Sequence, residues 1–139
     1  MKVNITAGEC LNRILEARYP DECFVPFNEA MNQGTYSVPL FSEEFVKERA
    51  AVHGVSEAEY RENLAGFLEV LARPEAYDEI VLWFGDEPFC VENRETVLAA
   101  FPRSLVSVTL FIVSSVLAFS IDTFLCNFSM RSVDRKSVV

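Results

Sequence analysis

Ile80-Val81-Leu82-Trp83-Phe84-Gly85-Asp86-Glu87-Pro88-Phe89-Cys90-Val91-Glu92-Asn93 reads as a continuous apolar strand, a turn of glycine, two acids and proline, and the opening of a helix. A strand with no polar alternation is buried on both faces, and such strands belong to parallel sheets covered by helices. In those sheets ligands are met outside the carboxyl ends of the strands. The stretch sets both the fold class and the place where a site is expected.

Working outward, the same alternation of strand and helix repeats. Val3 to Thr6 reads as a first strand, and Thr6-Ala7-Gly8-Glu9 has the capping-box pattern ahead of a helix with Leu11, Ile14 and Leu15 on one face. Cys23 to Phe27 reads as a second strand, followed by a long loop from Asn28 to Leu40 that carries Tyr36 as a candidate lid. Phe41 to His53 reads as a helix stopped at Gly54. Ser56-Glu57-Ala58-Glu59 is a second capping box, after which Tyr60, Leu64, Phe67, Leu68 and Leu71 mark one helical face as far as Pro74. Glu79 to Phe84 is a third strand. Pro88 suits the first turn of a helix whose inner stripe is Cys90, Arg94, Val97, Leu98 and Phe101, and Leu105 to Val113 reads as a fourth strand.

This order predicts an α/β, Rossmann-like three-layer domain over residues 1–113, with a mostly parallel four-stranded sheet in the order 2-1-3-4. The switch point then falls between the first and third strands, so that the turns at Gly8-Glu9 and Gly85-Asp86-Glu87 are expected to share one crevice.

The chain has 139 residues, is half apolar and carries a formal net charge of -9. That length supports one domain burying about two thirds of its unfolded surface. The acidic balance, without a Lys/Arg cluster, argues against nucleic acid as a partner. Residues 1–103 hold 9 basic and 19 acidic side chains, whereas 104–139 hold 3 and 2. The uncharged run Ser104 to Ile121 reaches the lower limit of a membrane span, but its Ser and Thr content and its β-branched Val106, Val108, Thr109, Ile112 and Val113 favour a buried strand. Residues 114–139 are read as an atypical tail, divergent or truncated and loosely held after Ser129. Cys10, Cys23, Cys90 and Cys126 are widely spaced and share one histidine, so no metal site is expected. No charged segment with a short apolar run opens the chain, which predicts reduced thiols and a cytoplasmic, bacterial-type setting.

The series Gly8-Glu9, Phe27-Asn28-Glu29 with Gly34, Arg49, and Trp83-Phe84-Gly85-x-Glu87-x-Phe89-Cys90-x-x-Asn93 resembles the bacterial domain-of-unknown-function family numbered 1835, over about residues 1–101. The resemblance implies the fold and no established activity or cofactor. Where the family's pattern has Asp, this chain has the longer acids Glu9 and Glu87, and Val91 stands where Gln is usual. Longer acids at both places argue against a strict metal-ligand role.

The candidate catalytic residues are Glu9, Asp86 and Glu87, and the candidate ligand-binding residues are Gly8, Asn28, Glu29, Arg49, Trp83, Gly85 and Asn93. Each has a plainer reading. Glu9 and Asp86 suit helix starts, Trp83 and Cys90 suit the core, and Cys10 suits either a buried apolar position or a reactive thiol. His53 reads as a residue of a helix C-terminus. Arg49 either pairs with Glu29 or Glu87 or binds an anion. Two functional classes follow: a domain that binds a phosphorylated small molecule or nucleotide, its acids holding a cation or moving a proton, and a non-catalytic regulatory or protein-interaction module. Convergence of Glu9, Glu29, Glu87 and Arg49 in one cleft separates them. The sequence leaves the oligomeric state open.

Overall fold

The computed structural model describes residues 1–102, 107–113 and 133–138. The elements run β1 (Lys2–Thr6), α1 (Glu9–Arg18), β2 (Phe24–Pro26), α2 (Glu43–His53), α3 (Glu57–Asn63), α4 (Ala65–Ala72), β3 (Glu79–Gly85), α5 (Pro88–Ala100), β4 (Ser107–Val113) and β5 (Val133–Val138), with one 3-10 turn at Pro74–Ala76. The first four strands are parallel in the order β2-β1-β3-β4, the predicted Rossmann-like arrangement. β5 adds an antiparallel edge strand beside β4, where the sequence reading has a loosely held tail. Its Val-Asp-Arg-Lys-Ser-Val run carries no apolar periodicity, so only its pairing identifies it as a strand. Residues 114–132 of the expected tail and residues 105 and 106 of the expected fourth strand lie outside the described residues. No helix among the described residues is long and apolar enough to cross a membrane.

The layers follow from strand alternation and crossover handedness. Ile80, Leu82 and Phe84 of β3, with Val3 and Ile5 of β1, enter one core with Phe45, Val46, Leu64, Phe67, Val97 and Phe101 from α2 to α5. Val81 and Trp83 face the other way, onto Leu11 and Leu15 of α1 and Phe24 of β2. The crossover from β1 to β2 runs in the direction opposite to those from β2 to β3 and β3 to β4. Right-handed connections therefore put α1 on one face and, among the described residues, the other helices on the second. The polar positions of β1 also lie on the α1 side and are fully used there. Asn4 accepts the Trp83 indole N–H at 2.9 Å and donates to Glu22 at 2.9 Å, while the Thr6 hydroxyl bonds the Asn12 side chain at 2.9 Å.

Two local expectations change. Thr6 belongs to β1 and bonds Asn12, so it is not a helix cap: the N-cap position of α1 is Gly8, which has no side chain to cap it. The second capping box does form, with Ser56 accepting from the Glu59 N–H at 3.1 Å. The helix it opens is broken at Leu64 (φ -108°) into α3 and α4. With the two helices separate, Tyr60 reaches the loop after β2 while Leu64, Phe67 and Val70 stay in the core.

Candidate functional site

The site grows from one buried carboxylate. Glu29 stands three residues beyond the end of β2, and its side chain and that of Arg49 are both 0 % exposed. Ser42 caps α2, accepting from the Phe45 N–H, and the buried face of the helix then carries Phe45, Val46, Arg49 and Ala50. Arg49 grips Glu29 with Nε at 3.1 Å and Nη2 at 2.8 Å, the forked geometry that suits a carboxylate. Its remaining N–H groups go to the carbonyls of Gln33, Thr35 and Ala30 at 2.6, 3.0 and 2.9 Å. Tyr60 donates its hydroxyl to Glu29, the Ala30 N–H donates at 2.7 Å, and Nε2 of His53 closes the set. Burial is the largest single influence on the Glu29 carboxyl and opposes ionisation. The hydrogen bonds from Arg49, Tyr60, Ala30 and His53 together outweigh it and hold the group at about 2, against an ordinary 4.5. The Tyr60 phenol is pushed far above its ordinary range, first by burial and then by that same carboxylate.

Above this cluster opens a crevice of ≈ 360 Å³, lined by Ala7, Gly8, Phe27 to Ala30, His53, Val55, Tyr60 and Asn63. It lies at the carboxyl ends of β1 and β2. At one wall the N-cap position of α1 is Gly8, whose φ of 139° and ψ of 174° belong to a region that side chains disfavour. At the other, Asn28 donates to the Asn63 carbonyl at 3.1 Å, tying the loop after β2 to α3.

Of the residues singled out from the sequence, Gly8, Asn28 and Glu29 line this crevice and Arg49 lies directly behind it, paired with Glu29. The expected convergence of acids does not occur. Glu9 is exposed on α1 and pairs with Arg13 one turn on, at 3.1 Å. Asp86 is exposed at the turn after β3. Glu87 occupies the N-cap of α5 without capping it, and its Oε2 is buried with no hydrogen-bond partner among the described residues. Gly85 is buried at the end of β3, and neither it nor the two acids lines the crevice. Trp83 belongs to the core on the α1 side, stacked on Phe111 with ring centroids 4.4 Å apart. Asn93 acts at one remove: from α5 it accepts the Met31 N–H at 2.8 Å and donates to the Glu29 carbonyl at 2.6 Å, fixing the loop that carries the carboxylate.

The crevice thus lies on the β1 and β2 side of the expected switch point between β1 and β3, and the loop after β2 reaches across to α5 and is fastened there. That loop is no free lid. Glu48 accepts from Thr35 at 2.7 Å and from Ser37 at 2.5 Å, and Tyr36 packs against Phe45 and lines a second hollow of ≈ 530 Å³ with Met31, Leu40 and Val91. No group of three or more His, Cys, Asp and Glu among the described residues is placed to hold a metal ion. Cys90 is core, its thiol raised to about 11 chiefly by burial. Cys10 is disulfide-bonded, against the expectation of reduced thiols, and offers no nucleophile.

His53, Tyr60 and Asn63 are the site residues that sequence reasoning passes over. A signal for His53 exists: it stands four residues after Arg49, hence on the same face of α2. The comparisons add no relative, since no family model, curated protein or solved structure matches the chain, and the family resemblance rests on the quoted motif residues alone.

Proposed function

We propose that this domain binds a small phosphorylated molecule or nucleotide in the crevice at the carboxyl ends of β1 and β2. The observation that carries the reading is the pairing of a glycine-started helix with a preorganised polar wall around one cavity. The first-turn N–H groups of a helix have no acceptor within the helix and favour negative charge. The opposite wall is held by a fully bonded ion pair, so its polar groups keep their positions without ligand. Glu9, Asp86 and Glu87 have no part in it, and the binding needs no cation bridging a group of acids.

A thermal-shift screen against nucleotides and phosphosugars, with and without magnesium, tests the reading. A ligand present at a hundredfold its dissociation constant is expected to stabilise the protein by about 2.7 kcal/mol, independently of magnesium. A screen without any stabilising compound would overturn it and favour the second reading, an interaction module. That reading draws on the hollow beside Tyr36, which is bordered by Glu92 and Glu95.

A further inference from the structure

We propose that His53 receives the anion, its imidazolium presenting a positive charge and an Nδ1–H donor to a phosphate or similar dianion in the crevice. This rests on the reading of the crevice as an anion site and adds the residue that binds. Elimination among the described lining leads there. Arg49, the expected anion binder, has its five N–H groups committed to Glu29 and to three carbonyls. The Tyr60 hydroxyl is committed to Glu29, and Asn28, which spends one amide N–H on the Asn63 carbonyl, and Asn63 offer neutral amides with no charge for an anion. No Lys or other Arg lines the crevice. His53 does line it, and its side chain is 24 % exposed.

The hydrogen bond to Glu29 decides which nitrogen is offered. Nε2 faces Oε1 of Glu29, so Nε2 carries the proton in the neutral ring and Nδ1 is left as a bare acceptor. In that state the trio Arg49, Glu29 and His53 is neutral and an anion meets a lone pair. Protonation turns Nδ1 into a donor and makes the trio +1. The groups facing the imidazole are Glu29 from the loop after β2, Arg49 from α2 and Tyr60 from α3. Glu29, held at about 2, and Tyr60, displaced upward, keep their charge states near neutrality, as does the guanidinium. An imidazole is the one side chain that ordinarily changes charge between about pH 5 and pH 8. Anion affinity is therefore expected to rise as pH falls.

The chain has one histidine, so in untagged protein the imidazole C–H signals in a proton NMR spectrum belong to His53. Sulfate is the probe, because it stays dianionic throughout the titration. We expect sulfate to bind roughly tenfold tighter at about pH 5.5 than at about pH 8, and to raise the midpoint of the His53 titration. His53→Gln, which keeps a donor for Glu29 without the charge, should lose the gain at low pH. A midpoint unmoved by sulfate, or a His53→Gln protein that retains the gain, overturns the proposal. Phosphorylated compounds bound equally by both proteins at both pH values would overturn it and leave the crevice reading standing. Anion binding by neither protein at either pH would overturn both.

Discussion

Arg49 is the largest of the fully buried side chains among the described residues, and its burial is tolerable because every N–H it owns has an acceptor. Replacing it with Met removes the charge that compensates Glu29 and should cost about 3–5 kcal/mol at neutral pH. The pH dependence gives this a sign. Because the folded-state Glu29 carboxyl titrates at about 2 and its reference at 4.5, its contribution is complete above the higher value and is lost as pH falls through the interval. The shift corresponds to about 3 kcal/mol. Urea midpoints at about pH 7 and about pH 3 should therefore show the Arg49→Met deficit shrinking in acid. A deficit of equal size at both would mean that Arg49 contributes packing and not charge. The sequence did show a cation on the apolar face of a helix, one turn beyond Phe45. Its choice of Glu29 over Glu87 was invisible, because that depends on where the loop after β2 lies.

Among the elements, that loop is held by close approach as much as by hydrogen bonds. Gly34 has a φ of 65°, and a Cβ there would stand 2.7 Å from a methyl of Val52 on α2. Gly8 has a φ of 139° but no atom near the position a Cβ would take. Alanine at either is strained, so each should lower stability by about 1–3 kcal/mol, with Gly34→Ala the worse of the two because strain and overlap combine. Calorimetric melting of both variants checks the ranking, and Gly8→Ala as the more damaging change would contradict it. The strands and the Ser56 cap were legible because apolar runs and local side-chain bonds act over a few residues. The failed Thr6 box and the break at Leu64 were not, since Thr6 is drawn into β1 by strand pairing and bonds Asn12, and Tyr60 is claimed by Glu29 from 31 residues away.

For the whole molecule, the sheet order predicts how stability is distributed. Among the described strands β1, β3 and β4 have neighbours on both sides, while β2 and β5 are edges. Native-state hydrogen exchange should find the slowest amides in β1, β3 and β4, opening only with global unfolding, and faster exchange in β2 and β5. Equal protection of β2 and β3 would argue against this gradient. The order itself was readable from strand and helix alternation, whereas the position of the crevice was not, because it depends on the path of the loop after β2, which Asn93 fastens from 64 residues away. That fastening also sets a timetable. Glu29 takes its partners from residues 20, 24 and 31 positions later, and the amide that pins its own carbonyl comes 64 positions later. A chain emerging from the ribosome passes through an interval in which both walls of the crevice have been synthesised but the residue that pins the Glu29 carbonyl has not.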